Sequence, residues 1–552
     1  MKLKRLIAIV MTLAMMATML FGCGKPADDK TSVAPTDAPT AGATDAPTDA
    51  PTDAPTEAPP VYPLQGNPTV TIWTTVPTAV AKSYDKLEDR PYAKKLMELT
   101  GINIDYVVPS STDAEAVEKG IMLSERKFTD IIGFSATEVV QMNADDVIIA
   151  LDDVIDQYMP NYKAYLEANP DIEKLIRSDD GHIYYVPMVM EDASMGNTYG
   201  VYCRQDWLDE MGVKMPETID EWYTLLTRIK NEKGVTPIMS TANYLTSYGA
   251  FMNAFVPERM GGDYYVEDGK VVFIPAMDGM REYLTVLNKW FDEGLIHPDA
   301  GTNISSSIIR GNMANGNAFL ALGNAGSGIQ RVTNEAAKSN LTIELTAVAT
   351  PSAKPGEKPK YQSASPVMAA NTGGACISTT CKNVEAAARY LDFHWTKEGF
   401  LLKNFGIEGT SYTVVDGVET YTDLILKNPD GLTIDEAMAG YMEKNAIGLQ
   451  AKNYLKGYYS STPAAAAAPE IWASKGEIDF SMRMISHTTE ESDTLALYSE
   501  LTTYVAQSFV QFVIGVMDIE TQWDEYMNNL KAFGMEECLK VKQAAYDRYA
   551  AK

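Results

Sequence analysis

The sequence predicts an α/β protein of two lobes, with the chain crossing between them more than once. Three observations carry this. From Asn67 the chain alternates strands with helices in the βαβαβ order of a parallel sheet. A second strand and helix series begins near Gly200. Aperiodic stretches follow Pro187 and fill Thr350 to Pro366, as expected where a chain leaves one sheet for another.

Each element has its own signal. "TVTIWTT" (69–75) alternates β-branched with polar residues and reads as a first strand ending near Trp73. Pro91 opens a helix that runs through Leu99 and stops at Gly101, "INIDYVV" resumes as a strand, and a helix from Asp113 to Ser124 leads into "FTDIIGFS". "DGHIYYVP" closes a strand at Pro187. The stretch "GVYCRQDWLDEMGVKMPETIDEWYTLLTRIK" then gives a strand, a helix, a turn and a second helix, with Thr218 and Glu221 at the spacing of a capping box. "GMREYLTVLNKWFDEGLIHPD" is an amphipathic helix closed by Gly294, and "GNAFLALGNAGSG" is a strand ending in a glycine-rich turn. Asn383 caps the first of a helix pair, and beyond it the chain reads as mainly helical, with an alanine-rich break at "STPAAAAAPEIWASKG". The polar residues Gln507, Ser508 and Gln511 mark "YVAQSFVQFVIGVM" as core or interface and not a membrane span. These readings place 67–188 with 370–412 in lobe 1, 189–350 with 413–552 in lobe 2, and the return crossing at 351–369.

The N-terminal 66 residues belong to neither lobe. Lys2, Lys4 and Arg5 precede an uncharged apolar run from Leu6 to Phe21, which reads as a signal peptide over 1–22. A spanning helix would need about 20 apolar residues. Leu20, Phe21, Gly22 and Cys23 resemble the lipobox of bacterial lipoproteins, which implies acylation of Cys23 and attachment through at least two acyl chains. Residues 23–66 read as a disordered tether, because their APTD repeat has a proline every fourth residue and no large apolar side chain.

Composition excludes several functions. The chain has 46 Lys and Arg against 74 Asp and Glu, a net charge of −28, which disfavours nucleic acid as a partner and favours neutral solutes. Cys203, Cys376, Cys381 and Cys538 are too scattered for a disulfide framework. Cys376 and Cys381 are close enough to pair, but small buried hydrophobes are the preferred reading. None of the four histidines lies at zinc-ligand spacing from another, so no metal is expected.

Five motifs in order carry a resemblance: "DGHIYYVP", "RQDWLDEMGVKMPETIDEWY", "REYLTVLNKWFDEGLIHPD", "CKNVEAAARYLDFHWTKEGFLLKNFGIEGTSYT" and "WDEYMNNLKAFGMEECLKVKQAAYDRY". The chain resembles the extracellular solute-binding proteins (family 1) of carbohydrate ABC importers, in the LplA-like or YtcQ-like lipoprotein subgroup of Gram-positive bacteria. The resemblance implies a two-lobed class II periplasmic-binding-protein-like fold with a hinge and an interlobe cleft. It implies an oligosaccharide ligand, two permease subunits and a cytoplasmic ATPase as partners, a monomeric state, and a place on the outer face of the cytoplasmic membrane. Members of the group often carry an EF-hand-like calcium loop after the helix that here is "DEWYTLLTRIK". This chain has "NEKGVTP", where only Asn231 and Glu232 offer side-chain oxygens, against the six to eight ligands calcium takes, so the loop reads as lost and no cofactor is expected.

Sugar recognition needs flat apolar faces and fixed hydrogen-bonding groups, which sets the candidates. Trp73, at the end of the first strand, is a cleft residue or core. Tyr185, Asp192 and Asn197 lie at the first crossing. Arg204 binds ligand or pairs with Asp206 as a structural cap, while Trp207 reads as core. Of the helical stripe Tyr244, Tyr248 and Phe251, Tyr248 is the candidate. Asn324 sits at the glycine turn, and Glu408 and Tyr412 lie on the segment that the resemblance returns to the cleft. No nucleotide loop, G-x-S-x-G or H-E-x-x-H occurs, so capture without chemistry is expected. A surface glycoside hydrolase, a ligand-presenting receptor for a sensor kinase and a peptide-importer component are the competing readings.

Overall fold

The computed structural model describes residues 62–552 apart from 77, 82, 135–137, 193–194, 196–198, 250, 258, 260–261, 360, 362–373, 444–446, 460–461, 476–481 and 483–484. The expected signal peptide, Cys23, the tether up to residue 61 and Asn197 lie outside the described residues; the last residues expected in the tether are instead ordered, with Tyr62 and Leu64 packed against a hydrophobic core and Tyr62 donating to the Arg389 carbonyl at 2.7 Å.

Two sheets organise the body. The first has six strands: β1 (Thr69–Trp73), β2 (Asn103–Val107), β3 (Ile131–Phe134), β4 (Val186–Met190), β11 (Gly374–Ile377) and β14 (Gly448–Gln450), in the order β14-β4-β11-β3-β1-β2. Strand β1 runs parallel to β2 and β3, β14 runs parallel to β4, and β11 is antiparallel to both β3 and β4. The parallel strands need crossover helices, and α1 (Pro91–Thr100) supplies one. Pro91 sits at its first turn, and Gly101 ends it with φ 69°, a left-handed conformation that glycine adopts without Cβ strain.

The second sheet has the order β10-β5-β9-β6, from β5 (Tyr199–Arg204), β6 (Ile238–Met239), β9 (Leu320–Asn324) and β10 (Leu345–Ala347). Its helices include α2 (Gln205–Met211), α3 (Ile219–Lys233), started by the expected capping box of Thr218 and Glu221, and α4 (Asp278–Asp292). Two hairpins stand apart, β7 (Tyr264–Glu267) with β8 (Lys270–Phe273), and β12 (Tyr412–Val415) with β13 (Val418–Tyr421).

Each sheet has its own core. Val70, Ile72, Leu96, Ile132, Val186, Cys376 and Leu391 belong to the first, and Val201, Trp222, Leu284, Trp290, Phe319 and Phe509 to the second. Two separate cores are the physical basis of the two lobes, because apolar surface is buried within each half. Cys376 is buried in the first core, and it and Cys381 are both free thiols. No helix among the described residues is long and apolar enough to cross a membrane. The stretch "YVAQSFVQFV" is instead part of α7 (Ser499–Val513), which packs Val505, Phe509 and Phe512 into the second core.

Two features depart from the sequence reading. The alanine-rich break is a helix, α6 (Pro463–Trp472): proline is favourable at a first helical turn and alanine has the highest helix propensity. Trp472 ends it and donates from Nε1 to the Val201 carbonyl at 2.9 Å, lying so close that a Cβ on Gly200 would meet its ring at 2.5 Å. Strand β14 lies within 413–552, expected wholly in the second lobe, yet it pairs with β4 of the first sheet. The end of α5 (Lys397–Asn404) holds it there: Lys403 Nζ donates to Gly448 O at 3.1 Å, and Asn404 Nδ2 donates to Leu449 O at 2.9 Å while its Oδ1 accepts from Gln450 and Ala451.

The last helix, α8 (Met535–Ala551), touches both cores. Met535 and Cys538 lie in the second, and Tyr549 packs against the first. Near its end Arg548 pairs with Asp179 at 2.7 Å and with Glu491 at 2.5 Å.

Candidate functional site

Strand direction decides which residues face the passage between the halves. The chain passes from the C-terminal end of β4 to the N-terminal end of β5, so those ends face each other. Strands β1, β2, β3 and β14 run in the same sense as β4, which puts Trp73, Val107, Phe134 and Gln450 on that edge of the first sheet. Strand β9 is antiparallel to β5, with Tyr199 opposite Asn324, and β6 is parallel to β9, so Tyr199, Met239 and Asn324 form the facing edge of the second sheet. Ligands in α/β proteins collect at such strand ends.

The edge of the second sheet carries an aromatic platform. Tyr199 stacks on Tyr248 with ring centroids 4.7 Å apart and planes at 22°, and Tyr244 meets Tyr248 edge-on at 5.2 Å. All three rings are half-buried. Burial raises the Tyr199 hydroxyl pKa, with Tyr244 adding to the effect and a hydrogen bond to Ser327 opposing it. Asn324 Oδ1 accepts from Gly326 N at 2.7 Å, which folds the chain back so that Ser327 is exposed beside Tyr199. The turn is then covered by Tyr459: a Cβ on Gly326 would come within 2.9 Å of the Tyr459 hydroxyl. Burial pushes that hydroxyl up to about 12, with Asp435 contributing. Tyr458 stands edge-on to Tyr459 at 4.7 Å, and its hydroxyl lies 3.4 Å from Asp435.

The passage itself is pinned by one lysine. The Lys452 amide donates to Glu191 Oε2 at 2.7 Å, and its ammonium reaches Asp192 Oδ2 at 2.7 Å with Glu470 at 3.7 Å. Glu191 N in turn donates to Gln450 O at 3.0 Å. Two chain segments leaving the first sheet are thus held side by side, and the hydrogen bond to Asp192 raises the Lys452 pKa.

The sequence candidates divide accordingly. Asp192, Tyr248 and Asn324 stand at the facing edges. Trp73 ends its strand there but is buried at 5% exposure in the first core. Two others are corrected. Arg204 ends β5 at the far side of the sheet, where its guanidinium donates to Asp206 (2.8 and 2.6 Å) and to the Met313 carbonyl (3.3 Å) with its face over Trp207, so pairing is what the structure shows. Tyr185 precedes β4, at the end remote from the passage, and is buried in the first core, which drives its pKa up. Tyr412 is buried beside Phe405 and Tyr421 in a small separate core, while Glu408 is exposed on the hairpin approach. Sequence reasoning missed Tyr199, Ser327, Tyr459 and Lys452. The first of these was legible as the opening residue of a strand that follows a crossing.

The last turns of α3 are closed by polar contacts. Arg228 takes Glu232 at 2.6 Å, Lys233 reaches Glu210 at 2.5 Å, and Lys230 donates to the Glu293 carbonyl at 2.5 Å. Glu232, one of the carboxylates a divalent cation would use, is thereby taken by Arg228.

Residues 84–399 match the family model described as bacterial extracellular solute-binding protein. The chain belongs to that family. As a solute-binding protein it is 23% identical over 521 residues to the fructooligosaccharide ABC transporter substrate-binding protein FusA of Streptococcus pneumoniae, with 89% of this chain and 92% of FusA aligned. It is 26% identical over 309 residues to the lipoprotein LipO of Bacillus subtilis, covering 50% of this chain and 58% of LipO. Its fold matches an HMO-binding, ABC-transporter-associated solute-binding protein of Bifidobacterium longum infantis with a TM-score of 0.70 at 20% identity, over 88% of this chain and 99% of the other. The two-lobed fold implied by the sequence is thereby established, and FusA and the Bifidobacterium protein are binding proteins, not enzymes.

Proposed function

We propose that this solute-binding protein captures an oligosaccharide between its two halves and delivers it unaltered to an ABC permease. The observation that carries the reading is the tyrosine platform of Tyr199 and Tyr248 beside the Asn324 turn. A pyranose or furanose offers a C–H face that packs on an aromatic ring, and its hydroxyls suit Ser327, Asn324 and the adjacent amides. That FusA is a fructooligosaccharide-binding protein, and that the Bifidobacterium protein is HMO-binding, supports a glycan ligand here.

Binding stabilises whichever arrangement of the halves holds the ligand better, and that differential affinity drives closure. Two permease subunits and a cytoplasmic ATPase complete the proposed importer. Acylated Cys23 and the tether that follows it, up to residue 61, hold the monomer at the outer face of the membrane of a Gram-positive cell, and the LipO relationship supports the lipoprotein reading. No cofactor is required. The lobe boundaries proposed are those of the two cores, with 448–450 joined to the first.

A thermal-shift screen of the purified protein against a glycan panel tests the reading. A cognate glycan raises the melting temperature through linkage, and Tyr248→Ala abolishes the shift. A panel without effect, alongside a shift produced by peptides, overturns it. Cys23→Ser is expected to release the protein from membranes, measured by fractionation.

A further inference from the structure

We infer that the site has a second sugar subsite, formed by Tyr458 and Arg331 where the Asn324 turn meets the wall of the passage, and that it selects for chains longer than the unit seated on Tyr199 and Tyr248; this rests on the oligosaccharide reading above. The wall is the connection after β14. Gln450 ends that strand at the facing edge of the first sheet, and the short helix Lys452–Tyr458 leaves from there. Lys452 is held by Glu191 and Asp192 as the chain leaves the first sheet, while Tyr459, just past the helix, lies against Gly326 beyond β9 of the second. Its 7 residues, rising about 1.5 Å each, cover about 10 Å, so this helix bridges the passage.

Two aromatic groups thus meet one turn, Tyr199 at Ser327 and Tyr459 at Gly326. Tyr454 and Tyr459 are buried, whereas Tyr458, stacked on the first at 6.1 Å and edge-on to the second, is half-buried. A charge of each sign approaches its hydroxyl. Asp435 Oδ1, from the helix Ile434–Tyr441, lies 3.4 Å away; burial raises the Tyr458 pKa, Asp435 adds to the rise and Arg331 opposes it. The Arg331 backbone N–H donates to the Gly326 carbonyl, which fixes the residue at the turn with its side chain exposed. Among the described residues Arg331 is the one arginine without a carboxylate partner; every other forms an ion pair. In a chain where Asp and Glu outnumber Lys and Arg by 74 to 46, its fork of donors is left for a ligand. A guanidinium fork, a carboxylate and a phenol around one half-buried ring match the neighbouring hydroxyls and the C–H face of a sugar.

Isothermal titration of the purified protein with glycan series of increasing length tests this: fructooligosaccharides, xylo-oligosaccharides and milk-type oligosaccharides, each from disaccharide to pentasaccharide. In the series that binds, affinity is expected to rise with length. Arg331→Gln changes an exposed side chain and Tyr458→Phe keeps the packed ring, so both variants fold. Each is expected to weaken the longer members about tenfold and to leave the shortest binding member unchanged, whereas Tyr248→Ala weakens every member. Affinity independent of length, or a loss in Arg331→Gln and Tyr458→Phe that is absent or equal at every length, would overturn the second subsite and leave glycan capture standing. Silence of the wild-type protein across every series removes the oligosaccharide reading and this inference with it.

Discussion

Lys452 Nζ lies 2.7 Å from Asp192 Oδ2, a contact made across 260 residues of sequence at the point where the chain leaves the first sheet. It joins two of the segments by which the chain leaves the first sheet. Both side chains are about a third exposed, so the pair itself is worth at most about 1 kcal/mol. The expected result for Lys452→Met is a nearly unchanged unfolding midpoint together with faster hydrogen exchange at Glu191 and Ala451. Unchanged exchange would show that the passage is rigid without the lysine.

Gly200 and Trp472 form a steric lock. A methyl at position 200 would overlap the indole, so Gly200→Ala is expected to cost about 1–3 kcal/mol in urea unfolding. Trp472→Phe should relieve part of that loss, which a double-mutant cycle reads as a coupling between the two positions.

The Lys230 ammonium neutralises the C-terminal carbonyls of α4 through Glu293 O. Lys230→Met is expected to cost about 0.5–1 kcal/mol and to lower the melting temperature by about a degree. A chelator or added calcium should leave the wild-type melting temperature unmoved; a drop on chelation would show a calcium site.

Buried groups set the pH dependence. Burial holds Lys403 at about 7, against about 10.4 in the unfolded chain. Between those values unfolding takes up a proton, so stability rises with pH across the window, by ~1.4 kcal/mol per pH unit from this group. Burial also holds His394 at about 4, so stability falls as pH drops from about 6.5 toward 4. Urea midpoints measured against pH should show both slopes, and Lys403→Met should flatten the alkaline one.

The first sheet was legible because its strands alternate β-branched and polar residues and are separated by helices with clear stops, as at Gly101. The capping box at Thr218 and the cap at Asn383 were legible for the same reason: they are local. The helix at 463–472 was read as an alanine-rich break because small side chains show no apolar period, although alanine favours helix and Pro463 sits where the missing N–H has no partner to lose. Strand β14 was missed because three residues carry little periodicity and owe their place to Lys403 and Asn404.

For the site, Tyr248 and Asn324 could be found from a helical stripe and a glycine turn. Arg204 and Tyr185 could not be placed, because a strand's sequence does not say which of its ends faces the other half. That depends on pairing partners far away in the chain. Lys452 was invisible for the same reason.

The helix that ends at Ala551 reaches from one core to the other, and Arg548 fastens it to Asp179 through charges that remain partly in contact with solvent. Any swing that parts the halves must either carry this brace along or tear its ions from each other. Added electrolyte screens such ions, with a Debye length that shrinks from about 10 Å at 0.1 M to about 3 Å at 1 M. The Arg548–Asp179 contact, at 2.7 Å, is shorter than either length, so the medium outside reaches this brace only through its solvent-facing side.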